Sequence, residues 1–181
     1  MLEQRIQQQF FESADLQYQA GEVLARPIAD ATAALLAALT GGGKVMVAGS
    51  GAGAALAPYM ARLLAGRFER ERPPLAALAL VAGPEAAQQV RALGLPGDVL
   101  LYIDDGEGHS TVVISAAQGK DMTIVVVAGR GAQAFGELLA ETDVLVAVPH
   151  ERAARVAELQ LLVLHCLCDA LDFQLMGDQA P

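Results

Sequence analysis

The sequence predicts an α/β fold, a mainly parallel sheet with helices on both faces, and three features carry that prediction. Five short runs, at 45–48, 76–81, 99–103, 123–128 and 144–148, are almost continuously apolar, as strands buried on both faces must be. They are separated by stretches that can form helices and return over the sheet. Directly after the first run comes Gly49-Ser50-Gly51-Ala52-Gly53, the tight turn of a strand, loop and helix unit. Aromatic residues make up only 4% of a chain that is 54% apolar, so Ala, Leu and Val must build the core. Such residues suit close helix packing and buried strands better than a β-sandwich.

Residues 2–19 place Ile6, Phe10, Ala14, Leu16 and Tyr18 among Gln and Glu at roughly helical spacing, predicting an amphipathic helix. A second helix is expected over 27–40, starting at Pro27 and stopped by Gly41, Gly42 and Gly43. After the first apolar run and its glycine turn, an Ala/Leu-rich helix should reach about Leu64. Between the second and third runs, Gly83 turns the chain and Pro84 starts a short helix. A last long helix is expected over 151–176, with Leu159, Leu162, Val163, Cys166, Leu167, Ala170 and Leu171 on one broad face. The 181 residues are read as one domain, 1–40 forming the N-terminal helices and 41–181 the α/β core and last helix.

Charge narrows the partners. Twelve basic against 21 acidic residues give a net charge of −9, which argues against direct nucleic-acid binding because that affinity comes largely from cation–phosphate contacts. No apolar run appears long enough to span a membrane, and the start of the chain lacks the basic and apolar segments of a signal peptide, so a cytoplasmic protein is expected. Cys166 and Cys168 lie too close along a helix for an easy mutual disulfide and read as buried reduced thiols. His165 beside them suggests packing rather than a metal centre, because no second ligand cluster accompanies it. Arg67, Arg70 and Arg72 alternate with Glu69 and Glu71, a surface ion-pair cluster unless Arg67 or Arg72 reaches an anionic ligand or a neighbouring subunit.

Taken together, the glycine turn, Gly66-Arg67-Phe68-Glu69-Arg70-Glu71-Arg72-Pro73, Gly97-Asp98-Val99-Leu100-Leu101, Asp121-Met122-Thr123-Ile124-Val125 and Cys166-Leu167-Cys168-Asp169-Ala170-Leu171-Asp172 carry a resemblance. The chain resembles the SIS (sugar isomerase) domain branch that contains phosphoheptose isomerase and the DnaA initiator-associating protein. The resemblance implies a flavodoxin-like five-stranded parallel sheet flanked by helices, an N-terminal helical pair, and a homotetramer with sites between subunits. No cofactor is implied.

Members that bind a sugar phosphate carry Cys-Gly-Asn-Gly-x-Ser after the first strand, where backbone N–H groups, the serine and a helix N-terminus cradle the anion. The matching positions here are Gly49, Ser50, Gly51, Ala52 and Gly53, with Ser50 in place of the asparagine and Gly53 in place of the serine. The second phosphate loop of the family is rich in hydroxyls, whereas this chain has Asp104-Asp105-Gly106-Glu107-Gly108-His109-Ser110. Carboxylates there oppose a dianion unless a proton or cation intervenes. A metal held by Asp104, Asp105 and His109 or Glu107 is weighed against a solvated acidic loop, and the loop is preferred. The family's catalytic Glu position falls at Leu63 and its His position at Gln160, neither able to move a proton at neutral pH. Glu158 matches a retained family acid and is counted with the degenerate phosphosugar site.

Two functions follow as expectations. The first is a non-catalytic regulator that binds the replication initiator DnaA, with Glu3, Leu175 and Met176 matching the family positions that meet it. The alternative is a phosphoheptose (sedoheptulose 7-phosphate) isomerase, or a phosphosugar-binding protein with a degenerate site.

Overall fold

In the computed structural model, which describes residues 1–106 and 110–178, the chain runs α1 (Leu2–Thr40), β1 (Val45–Gly49), α2 (Gly51–Ala65), β2 (Ala77–Ala79) and α3 (Glu85–Leu93). It continues through β3 (Val99–Asp104), α4 (Ser110–Gln118), β4 (Thr123–Ala128), a 3-10 turn (Ala132–Phe135), β5 (Val144–Ala147) and α5 (Ala153–Met176). The five strands form one sheet in the order β2-β1-β3-β4-β5, every pair parallel. This is the expected flavodoxin-like order.

Alternation along the strands explains why the runs had to be apolar throughout. Val45, Val47, Val99, Leu101, Ile103, Val125 and Val127 pack on α1, α2 and α5. Their neighbours Met46, Ala48, Leu100, Tyr102, Ile124 and Val126 face the other way, onto α3 and α4. Both faces are therefore dry. Because the connections leave β1 in one direction and β3 in the other, a crevice opens beyond the carboxyl ends of these two strands, where open α/β sheets place their ligands.

The expected N-terminal pair is instead one continuous helix of 39 residues with Pro27 inside it. A proline there removes one hydrogen bond to the carbonyl of Val23. Val23 is exposed, while Ala20, Leu24, Ala31, Leu35 and Ala38 continue one buried stripe past the proline. The packing stripe outweighs the single lost bond. The same helix corrects the membrane expectation, since by length and composition α1 is apolar enough to cross a bilayer. Its buried stripe is spent on α5 and the sheet, as in a core helix.

The charged stretch after α2 also divides differently from the expectation. Arg67 pairs with Glu71 at the surface, but Arg72 is buried. Its Nε donates to Asp172 on α5, and its terminal nitrogens donate to the carbonyls of Leu63 and Leu64. Composition alone places arginines outside; this one is drawn in because the last carbonyls of α2 lack helical partners. His165 packs as expected, 2.8 Å from the Tyr59 hydroxyl and against the Phe68 ring, and both cysteines are free.

Candidate functional site

The crevice begins where β1 ends. Gly49 closes the strand, Ser50 caps the turn in extended conformation, and Gly51 enters α2 in the left-handed region at φ +49°. The first turn of α2 lies directly on the end of β3, so that a Cβ on Gly53 would overlap the carbonyl oxygen of Ile103. Glycine at 53 is thus required by packing, and the serine that other family members carry there has no room in this backbone.

From the other side, β3 ends in Asp104 and Asp105, and both carboxylates turn towards the glycine loop. The Ser50 hydroxyl donates to Asp104 Oδ1 at 2.9 Å, and the Gly106 N–H donates to Asp104 Oδ2 at 2.9 Å. Asp105 Oδ2 accepts the Ala52 N–H at 2.8 Å, with Asp105 Oδ1 3.5 Å from the Ser50 hydroxyl oxygen. This carboxylate lies against the bare Cα of Gly51, where any Cβ would overlap it. Ser50, Asp104 and Asp105 are all buried, Asp104 to 3% exposure. Burial pushes the Asp104 carboxyl above the usual carboxylate range; hydrogen bonds from Ser50 and Gly106 pull it down and the Asp105 charge pushes it up, with a net rise. Beside them, burial carries the Tyr102 phenol up to about 12. Ser50, Gly51, Ala54, Gly83, Ala86 and Tyr102 line a cavity of about 180 Å³.

Behind this cluster stands Gln160 of α5. It is fully buried, and its Nε2 donates to the carbonyls of Asp104 at 2.6 Å and Val127 at 3.2 Å, bracing the ends of β3 and β4. Its Oε1 has no hydrogen-bond partner among the described residues. Leu63 is a core side chain well along α2, twelve residues or roughly 18 Å of helix from the turn. Glu158 does not join the cluster: it accepts from Ser13 at 2.8 Å and pairs with Arg155 on the seam between α1 and α5. Burial raises its carboxyl, but Ser13 and Arg155 outweigh that and hold it below the usual range.

Of the remaining sequence candidates, Ser110 opens α4, and Glu107 and His109 lie outside the described residues. Among the described residues no group of three or more His, Cys, Asp or Glu gathers to hold a metal. Glu3 is exposed in the first turn of α1, while Leu175 and Met176 end α5, far along the chain from the crevice. Sequence reasoning missed Tyr102 as a cavity wall. It weighs Asp105 as a repelling charge, as a metal ligand and within the degenerate phosphosugar site, but does not foresee its seat on the Ala52 N–H.

Residues 9–129 match the SIS domain family. The chain belongs to that family. Relatives over nearly the whole length are phosphoheptose isomerases: one from Methylibium petroleiphilum is 50% identical, covering 99% of this chain and 98% of its own, and one from Azoarcus sp. is 42% identical, covering 96% of each. Among solved structures, a phosphoheptose isomerase from Neisseria gonorrhoeae superposes with a TM-score of 0.84 at 32% identity, over 95% of this chain and 99% of that one. One from Francisella tularensis gives 0.85 at 30% identity, over 95% and 98%.

These likenesses overturn the expectation of a non-catalytic regulator of DnaA, because relatives at up to 50% identity carry the isomerase name and the initiator-associating branch is not singled out. The expectation rested on residue type alone, equating the loss of proton carriers at Leu63 and Gln160 with an inert site. The isomerase-like character of the family is the finding to build on.

Proposed function

We propose that this chain binds and isomerises a heptose phosphate, with sedoheptulose 7-phosphate the substrate that the family resemblance suggests. The single observation that carries the reading is the 50% identity to a phosphoheptose isomerase over 99% of the chain. The substrate sits in the crevice beyond β1 and β3. Aldose–ketose exchange moves a proton between neighbouring carbons, and Asp104 is the group assigned to that transfer. As a carboxylate it takes the proton from the carbon beside the carbonyl, and as the acid it returns the proton to the former carbonyl carbon, while the hydroxyl proton passes through solvent to the former carbonyl oxygen. A carboxyl raised above its ordinary range by burial suits both halves of that cycle. The Ser50 hydroxyl, 2.9 Å away, holds the carboxyl in place.

A coupled assay with sedoheptulose 7-phosphate tests this directly. Turnover is expected from the wild type and a fall of about 10²–10⁴-fold in Asp104→Asn; no turnover by the wild type refutes the reading. A second reading, binding without reaction, is favoured by the absence of a proton carrier at Leu63 and Gln160. A thermal shift on adding the phosphosugar, without turnover, distinguishes it.

We also infer a homotetramer. Leu2, Ile6, Phe10 and Phe11 are exposed on α1 and need a partner surface, and light scattering at a tetramer mass is the expected result. A phosphorylated sugar is retained inside the cell by its charge, which fits a cytoplasmic place of action.

A further inference from the structure

We propose that Tyr102 is the residue that recognises a hydroxyl of the sugar, its phenol lining a small side cavity next to the crevice that takes part of the ligand's carbon chain. The inference deepens the heptose-phosphate reading and rests on it for the identity of the ligand.

Tyr102 brings a polar atom to an otherwise apolar face of the sheet, among Met46, Ala48, Leu100, Ile124 and Val126. In register it stands between Ala48 of β1 and Val126 of β4, and it is 2% exposed. A phenol buried this deeply ordinarily finds a hydrogen-bond partner, because an unmet one is expensive in a dry interior. Among the described residues the one side chain that hydrogen-bonds it is Ser50. The Ser50 proton is directed elsewhere, at Asp104 Oδ1 2.9 Å away. Ser50 therefore serves the phenol as an acceptor, and among the described residues no donor is left for the phenol oxygen.

The space in front of the phenol is larger than a water site. The cavity that Tyr102 shares with Ser50 measures about 180 Å³, on the order of ten times the roughly 10–15 Å³ that one water needs. Its room comes from its walls: Ala54, Ala82, Gly83 and Ala86 carry a methyl group or less. Ser50 and Gly51 belong both to these walls and to the turn after β1, so the cavity adjoins the crevice. Small apolar walls with one placed polar group orient a ligand by that group. Burial, helped by the charges of Asp104 and Asp105, pushes the phenol up to about 12, so it stays neutral at ordinary assay pH. A neutral group that both donates and accepts matches a sugar hydroxyl, which does the same. Discrimination follows, because an analogue without that hydroxyl leaves the phenol unpaired inside a dry pocket.

The test compares the full-length wild type with Tyr102→Phe, which removes the hydroxyl and keeps the ring in the core. Calorimetry reads the affinity of sedoheptulose 7-phosphate and of its monodeoxy analogues, and circular dichroism checks that the variant is folded. The wild type should bind one of the analogues at least about tenfold more weakly than the parent sugar. In Tyr102→Phe that ratio should collapse to about one, because the bond is already lost. A tyrosine that serves packing alone weakens parent and analogues by one common factor, and that result overturns the proposal, as does a parent affinity unchanged by the substitution. A second variant, Ala54→Leu, fills the cavity from a half-buried wall without touching the phenol, and keeps the test decisive should Tyr102→Phe fold poorly. It should weaken the parent sugar at least about tenfold, and wild-type affinity in the folded variant also overturns the proposal. Binding and turnover by the wild type with no discrimination among the analogues remove the proposal alone. No binding of the parent sugar by the wild type removes the heptose-phosphate reading and the proposal together.

Discussion

Replacing Arg72 by Met tests how α2, which carries the glycine turn, is anchored to the rest of the molecule. The Arg72 side chain is 1% exposed and that of Asp172 is 3%. One guanidinium both neutralises Asp172 on α5 and caps two of the last carbonyls of α2, those of Leu63 and Leu64, each at 2.8 Å. Its positive charge also sits at the negative end of the α2 dipole. Truncation leaves a buried carboxylate with no counter-charge, a loss of about 3–5 kcal/mol. The Leu63 carbonyl, left without its donor while that of Leu64 keeps the Leu75 N–H, adds about 1 kcal/mol. The sum, about 4–6 kcal/mol, is a large share of the roughly 5–15 kcal/mol that holds an ordinary domain folded. At roughly 2–4 °C per kcal/mol for a chain of this size, the melting temperature falls by roughly 8–24 °C.

Urea unfolding followed by circular dichroism, at one fixed protein concentration, reads the effect. The second arm is Arg72→Met with Asp172→Leu, which removes both charges and fills the space with apolar atoms. That double variant should recover at least about 2 kcal/mol of the loss, because the cost lies chiefly in the orphaned charge and not in the missing pair. A single variant within about 1 kcal/mol of wild type, or a double variant no more stable than the single, refutes this account of the buried pair.

Further outcomes follow from the same physics. Gly53→Ser, which restores the residue usual in the family, should destabilise by about 1–3 kcal/mol and gain no phosphate affinity, because its Cβ meets the Ile103 carbonyl; calorimetry and urea melts check both. The Asp98 carboxyl is pushed up by burial but held net below its ordinary value by Lys44 and the Leu95 N–H. Its contribution is therefore present above the ordinary value and lost as pH falls through the lowered one, so wild type and Asp98→Ala should converge in stability in strong acid and differ by about 3 kcal/mol near neutrality. Asp104 has the opposite sign: its folded carboxyl is raised, so its stabilising share is complete below the ordinary value and is lost as pH rises through the raised one. Stability of Asp104→Asn relative to wild type should accordingly increase as pH rises above the ordinary carboxylate value, and a flat difference would count against the assigned burial. Burial raises both thiols, that of Cys168 to about 12, so Cys166 should react slowly with a thiol reagent and Cys168 only after unfolding.

The strands were legible because each is buried on both faces and therefore apolar without interruption, and the run at 123–128 coincides with β4 residue for residue. The weakest match, 76–81, shrinks to the three residues Ala77–Ala79 at the sheet edge, where only β1 supplies partners and the half-buried side chains carry less signal. Pro27 was misread for the converse reason. A proline marks a helix boundary by local chemistry, whereas the stripe from Ala20 to Ala38 that overrides it is settled by packing on α5 and the sheet. In the site, the glycine turn was visible from 49–53 alone, but the seating of Asp105 in it joins residues 53 apart through a loop conformation that no local pattern encodes.

The proposed isomerisation assigns proton transfer to Asp104, a residue to which neither of the two aligned positions points. A proton carrier is recognised in sequence by residue type, yet the acidity of Asp104 comes from its burial at the end of β3 and from the charge beside it. Gln160 stands where the family resemblance implies a histidine, and its amide holds the backbone carbonyl of that same Asp104 at 2.6 Å. A histidine at this position could donate one N–H to a carbonyl, whereas the amide nitrogen, with two, grips both Asp104 and Val127. The Gln160 amide and the Asp104 carboxyl are thus mechanically one feature: the side chain on α5 fixes the backbone from which the carboxyl at the end of β3 projects. Under the proposed isomerisation, Gln160→Ala and Asp104→Asn should therefore each lower turnover in the sedoheptulose 7-phosphate assay.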